Sequence, residues 1–296
     1  YTVWSDVFVC SEYGHEIIFW ETAVDPETAA VREALPCPHC NALQSKRTLE
    51  RAWETVFDTA LKQPVRRAKQ VPVLINYSVG KKRYEKTPDA DDLALIQKIE
   101  ESEIPYWFPI DRMPPGDESR RNDEIGMTHV HHFYTRRNLW VLAAIFKRVN
   151  ACSEARLRAY LAAWFTSSHS RLHKMNRYMA QHKRHVGPLS GTLYISSTMA
   201  EISPFYFVRA KISDNSKVEI PNGTSLVTTQ SSSSLTFITN DVVDYVFVDP
   251  PFGGNLMYSE LNFLWESWLQ VYTNNLSEAI INKVQRKTLP EYQDIM

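Results

Sequence analysis

The chain has 296 residues, 44% hydrophobic and 23% charged, which is enough apolar material for a sizeable core and for two or more modules. Its formal net charge of -1 excludes long-range steering of nucleic acid by the whole chain, so any such affinity must come from local patches. No apolar run approaches the ~18 residues of a membrane span, and the first residues lack the order of a secretory signal; the expectation is a cytoplasmic protein with no membrane partner.

Residues 3–20 hold short apolar runs on either side of Cys10 and Gly14, the pattern of a β-hairpin whose turn carries the cysteine. Cys37-Pro-His-Cys40 has the spacing with which one turn presents two thiolates to a metal ion. Together the two turns predict a zinc-ribbon-like module over residues 1–47. The first turn is degenerate, because Tyr13 stands where a second cysteine would fall. The metal hypothesis is therefore Cys10, His15, Cys37 and Cys40, with His39 as a weaker fourth ligand; the competing reading is a decayed ribbon whose thiols only pack. Cys152, in a helical pattern, is expected to be a small buried residue.

Residues 48–61 space Leu49, Ala52, Trp53, Val56, Phe57 and Ala60 as one face of a helix capped by Thr48 and stopped by Pro64. Residues 62–86 mix lysine and arginine with Tyr77 and Tyr84, a basic strand and loop that suits either a phosphate backbone or plain solvent. An acidic helix is expected over 89–103, with Leu93, Leu95, Ile96 and Ile99 inward, and a proline-rich loop over 105–126. His129, His131 and His132 invite a metal reading, but their spacing is not the i, i+4 pair of a helical zinc site. They are read as a loop leading into a helix over 135–149, capped by Thr135. A second helix over 153–165 follows, packing Leu157, Tyr160, Leu161 and Trp164. Arg136, Arg137, Lys174, Arg177, Lys183 and Arg184 are the candidate DNA contacts, against the alternative of a solvated surface. Residues 48–186 are expected to be a mixed α/β region, which the resemblance given below makes an insertion for target recognition.

A short strand is expected near 187–195, another over 225–229, then the serine run 231–234. Tyr245-Val-Phe-Val248 is apolar without alternation, the pattern of a strand buried on both faces of a parallel sheet. It ends in Asp249-Pro-Pro-Phe252, where the prolines stiffen the chain so that the Asp249 carboxylate and the Pro250 carbonyl can face one pocket. A helix over 259–272 follows, with Ser259 as its cap. The predicted fold class is α/β: part of a doubly wound, Rossmann-like sheet in residues 187–296, preceded by the ribbon and the insertion.

Val248-Asp-Pro-Pro-Phe-Gly-Gly-Asn-Leu-Met-Tyr-Ser-Glu-Leu-Asn-Phe-Leu-Trp265 resembles the catalytic region of zinc-ribbon-containing, adenine-specific DNA methyltransferases. The ribbon turn, His129-Val-His-His-Phe-Tyr-Thr-Arg-Arg-Asn138 and Lys174-Met-Asn-Arg-Tyr178 carry the same resemblance. It implies methyl transfer from S-adenosylmethionine to the exocyclic amine of a flipped base in double-stranded DNA, with zinc in the ribbon and a restriction or defence-system protein as a further partner. Asp249, Pro250, Pro251 and Phe252 would be catalytic, and Ser231, Ser232 and Asp249 would face the cofactor. Ser231 stands near where the family commonly has an acid. The family's glycine-rich cofactor motif has no counterpart here and would lie upstream of residue 1, so the chain reads as a fragment, inactive alone. N4-cytosine methylation, or a non-catalytic DNA-binding or assembly module derived from such an enzyme, are the alternatives.

Overall fold

The computed structural model describes residues 1–25, 27–215, 235 and 238–296. The chain is mixed α/β, and every strand pairing among the described residues is antiparallel. The strands are β1 (Thr2–Val9), β2 (Glu16–Ile18), β3 (Ala34–Pro36), β4 (Leu43–Ser45), β5 (Glu50–Arg51), β6 (Trp53–Asp58), β7 (Gln63–Ala68), β8 (Gln70–Val79), β9 (Lys82–Lys86), β10 (Arg177–Met179), β11 (Arg184–Gly187) and β12 (Thr198–Glu201). The helices are α1 (Phe19–Ala23), α2 (Ala90–Glu101), α3 (Asp117–Asp123), α4 (Arg136–Asn150), α5 (Ala155–Ser168), α6 (Pro204–Asn215), α7 (Tyr258–Leu269) and α8 (Leu289–Ile295).

The long β1 is the spine of an eight-stranded sheet ordered β11-β10-β12-β1-β8-β9, with β2 and β5 on its far end. This sheet draws strands from all three segments read in the sequence, so the ribbon turns extend from the end of a central strand. Val3, Val73, Tyr178 and Ala200 bury one patch of it. The larger core lies among α4, α5 and α7, where Leu142, Phe146, Phe165, Leu264 and Trp268 pack together. Helix and sheet are joined by one buried carboxylate. Glu201 of β12 accepts from Trp4 Nε1 (2.8 Å), from Thr135 Oγ1 (2.6 Å) and from the Arg137 guanidinium, and Thr135 also caps α4 as expected.

A second buried carboxylate fixes α7. Glu260 accepts from Ser119 N (2.7 Å) and Asn282 Nδ2 (3.0 Å), tying α7 to α3 and to the segment before α8. Gly116 permits this approach, since a Cβ there would fall 1.9 Å from the Glu260 carboxyl carbon. Burial raises the Glu260 pKa against the pull of those donors.

Several expected elements differ. Residues 48–61 form strands, not a helix. β6 pairs with β7 from Trp53–Ala68 to Asp58–Gln63, and the turn closes when Asp58 Oδ1 accepts from Ala60 N and Leu61 N. Thr55, Val56 and Phe57 favour that hairpin, and Pro64 is tolerated because this two-stranded sheet consists of edges. Helix α2 buries no residue, so Leu93 and Leu95 point outward. In α5 Leu157 and Tyr160 are exposed while Trp164 and Phe165 are buried. Cys152 is only half-buried, in the turn between α4 and α5. Ser259 does not cap α7: Met257 holds that position, and Ser259 binds the Glu278 carboxylate through its N–H and hydroxyl.

The largest departure is at residues 244–248. They form no strand, and Tyr245 and Phe247 are 80% and 81% exposed. Strand propensity is realised only against a neighbouring strand, and no described strand adjoins this run. The expected parallel sheet is therefore absent among the described residues. The strand expected at 225–229 and the serine run 231–234 lie outside the described residues. No helix among the described residues is long and apolar enough to cross a membrane.

Candidate functional site

Three groups of chemistry-bearing side chains stand out: the cysteine turns, the Asp249 segment and a histidine cluster on a cavity wall. In the first, Cys10, Cys37 and Cys40 bring their sulfurs within 4.8 Å of one another, and Cys10 and Cys40 are 3.7 Å apart. Two thiolates on a tetrahedral zinc, each ~2.3 Å from the metal, stand about 3.8 Å apart. The Cys10 and Cys40 sulfurs are thus spaced as zinc would hold them.

The two turns repeat one backbone design. Gly14 N donates to Cys10 O and Asn41 N donates to Cys37 O, both at i+4, and Gly14 and Asn41 are both left-handed, with φ of 70° and 56°. Cys10 N donates to His15 O just as Cys37 N donates to Ala42 O. The position matching Cys40 is Tyr13, whose side chain is exposed. The first turn therefore has the backbone of the Cys37–Cys40 turn with one thiol in place of two. His15 is outside the ligand group that the three sulfurs form; its ring lies 4.5 Å from that of His39, so the two candidate fourth ligands are neighbours at the rim. The His39 N–H, assisted by that of Cys40 and opposed by burial, holds the Cys37 thiol below its ordinary pKa. The Ala42 N–H favours the Cys40 thiolate, but burial and the neighbouring thiols leave that pKa raised. The donor set fits zinc through three sulfurs.

In the second group, Asp249 is exposed, and its carboxylate has no hydrogen-bond or ion-pair partner among the described residues. The chain after it is anchored. Tyr292 of α8 donates its hydroxyl to Pro251 O at 2.7 Å, Asn255 N donates to Phe252 O and Ile281 N donates to Gly253 O, both at 3.2 Å. The Phe252 ring is 72% exposed, so its face is open. Ser231 and Ser232, expected at the cofactor, lie outside the described residues. The described residues thus supply acceptors and a ring, and no cradle for S-adenosylmethionine is assembled beside them.

The expected DNA contacts are distributed unevenly. Arg136 donates to Ser102 O (2.6 and 3.1 Å) and Thr59 Oγ1, Arg137 is bound to Glu201, and Arg177 Nε donates to Gly187 O. Of the six, only Lys183 and Arg184 are exposed, side by side where the β10–β11 connection turns. At the tip of the β8–β9 hairpin Lys81, Lys82 and Arg83 are also exposed, above the stacked rings of Tyr77 and Tyr84.

Lys174 belongs instead to the third group. It lines a cavity of about 560 Å³ walled by β6, β7 and the segment before α4. Burial, with Arg67 nearby, lowers its amine pKa to about 8. On the same wall Asp58, His131 and His132 converge: Asp58 Oδ2 meets His131 Nε2 at 2.8 Å and His132 Nε2 at 2.9 Å, and all three side chains are nearly buried. Burial raises the Asp58 pKa, but the two imidazoles and the Leu61 N–H outweigh it and hold the carboxyl far below the usual range. Burial lowers the pKa of His132, against the pull of Asp58, so that imidazole is neutral near pH 7. The sequence reading placed His131 and His132 correctly ahead of α4 but missed Asp58, which it assigned to a helix. Nothing local links residues 73 positions apart; only recognition of the β6–β7 hairpin would have brought Asp58 near.

Comparisons with protein-family models, with curated proteins and with solved structures return no match.

Proposed function

We propose that this chain carries the amine-accepting half of an S-adenosylmethionine-dependent DNA methyltransferase acting on N6 of adenine. The observation that supports it most is the state of Asp249-Pro-Pro-Phe252: a carboxylate and a ring both free, on backbone anchored by Tyr292 at Pro251, between them. An exocyclic amine is a poor nucleophile because its lone pair is delocalised into the ring. Asp249 and the Pro250 carbonyl accept its two N–H bonds, which favours a pyramidal nitrogen and stabilises the positive charge that forms there. Phe252 offers its face to the flipped base. The cofactor supplies the methyl group when bound. The finer reading, in which Tyr245 to Val248 is the catalytic strand of a doubly wound sheet, belongs to the same proposal and rests on the composition of that run.

The test is transfer of a tritiated methyl group to duplex DNA by the native protein and by Asp249→Ala. Loss of roughly 10²–10³-fold with DNA binding retained is expected, the scale of removing one preorganised polar group from a transition state. Undiminished transfer refutes the assignment. The exposed Lys183–Arg184 pair and the Lys81–Arg83 hairpin tip supply local positive charge for the DNA backbone.

A further inference from the structure

We propose a second metal site, distinct from the cysteine cluster and independent of the methyltransferase reading: a divalent transition-metal ion held by Asp58, His131 and His132 on the wall of the 560 Å³ cavity. Two imidazoles and one carboxylate form the donor set that zinc and non-haem iron take when coordination positions are left open. Here those positions would face the cavity, which is within the size range of small-molecule sites.

The geometry is close to that of a filled site. The ligand atoms all lie within 4.8 Å of one another, and Oδ2 stands 2.8 and 2.9 Å from the two Nε2 atoms. Ligands ~2.1 Å from a tetrahedral ion are about 3.4 Å apart, so each must withdraw by only about half an ångström. The carboxylate is already aimed, because Ala60 N and Leu61 N occupy Oδ1 and leave Oδ2 for the imidazoles. The 3₁₀ turn Val130–Phe133 puts the two rings 4.3 Å apart on one side of the chain.

Ligation through Nε2 moves each imidazole proton to Nδ1. Thr128 Oγ1, 3.4 Å from His132 Nδ1, is an acceptor for it, while the 3.2 Å bond from Thr128 N to that nitrogen is given up. His131 Nδ1 meets no partner among the described residues, so that ring's tautomer is set only by the Nε2–Asp58 bond, which ligation replaces. Fixing the second ring nitrogen in this way is how proteins orient metal-binding histidines.

The test is titration of the purified protein with cobalt(II) alone, after its cysteines have been loaded with zinc. The expected result is a visible d–d spectrum without a thiolate-to-cobalt charge-transfer band, one equivalent per chain. Asp58→Asn, His131→Asn and His132→Asn should each weaken that binding roughly 100-fold or more, beyond the cost of losing an outer partner. Asparagine at 58 keeps the acceptor that closes the β6–β7 turn, and circular dichroism of each variant reports folding separately. Cobalt that gives only the thiolate band, no cobalt bound, or binding unchanged in the folded His131→Asn and His132→Asn variants would overturn the site.

Discussion

The cysteine cluster and the Asp58 cluster are both potential metal centres, and they differ in how the chain builds them. Cys37 and Cys40 share one turn, and Cys10 sits in a turn of the same hydrogen-bonded design. The ligands are local, and the small core around them, with Phe8, Ile17, Phe19, Leu35 and Leu49, includes the cysteines themselves. Asp58 and the two histidines come from a hairpin turn and a 3₁₀ turn 73 residues apart, brought together by long-range folding. The difference predicts a division of labour: metal in the first holds structure, whereas metal in the second faces a cavity and is available for chemistry.

Chelation breaks or supports that division most strongly. Stripping zinc from the zinc-loaded protein should lower unfolding free energy by about 4 kcal/mol at a free metal level ~1,000 times the dissociation constant. Urea unfolding followed by circular dichroism measures it. Cys37→Ser should remove most of that chelation-dependent loss, and Asp58→Asn little of it. Equal effects of the two variants would make both sites structural.

Acid sharpens the comparison by adding a third group, histidines with neither a carboxylate nor a cavity. His169 and His173 are buried, with pKa values lowered to about 3 and about 4 by burial, and both ring nitrogens of His169 lack a partner among the described residues. Their folded pKa lies below the unfolded value near 6.5, so the unfolded chain binds more protons and stability is lost as pH falls below about 6.5. At pH 5 that is about 2 kcal/mol for each ring relative to pH 7. Asp58 behaves oppositely in range: its depressed carboxyl stabilises the fold above the ordinary carboxylate value near 4, and that contribution fades only as pH falls below it. Urea midpoints at pH 7 and pH 5 should therefore drop before Asp58 is protonated. His169→Phe, set between Phe165 and Trp268, should remove that ring's share of the drop, about 2 kcal/mol.

The surface contacts are a smaller effect. Lys183→Ala with Arg184→Ala should lessen the slope of log affinity for duplex DNA against log salt by about 2, because each phosphate contact contributes close to one. The same exchange at Arg137, which is bound to Glu201, should act on stability instead.

Local signals were the legible ones. The hairpin around Cys10, the Cys37–Cys40 turn, the cap at Thr135 and helices α2, α4, α5 and α7 each follow from residues within a few positions of one another. Residues 48–61 misled because Leu49, Ala52, Trp53, Val56 and Phe57 satisfy a helical period as well as a strand composition, and pairing with β7 decided between them. What no window could hold were the long-range ties: Glu201 to Arg137, Glu260 to Ser119 and Asn282, and Asp58 to its histidines. Lys174 looked like a surface cation for the same reason, since β6 and β7, which wall its cavity, lie more than a hundred residues earlier.

Asp249-Pro-Pro-Phe252 combines the two cases, being a local motif with a remote support. Its residues were readable in sequence, but the Tyr292 hydroxyl on Pro251 O comes from α8, 41 residues on, and had no sequence signal. In the proposed reaction that bond would not touch the amine; it fixes the peptide between Pro251 and Phe252. Losing a neutral hydrogen bond costs about 1 kcal/mol, so Tyr292→Phe should lower kcat for methyl transfer about 5-fold. Because the base contacts themselves remain, KM for DNA should stay within about 2-fold, and the conservative exchange leaves α8 capped by Thr288 and Glu291. A loss confined to KM would mean that Tyr292 shapes DNA binding, and an unchanged kcat and KM would mean that the motif is positioned without it.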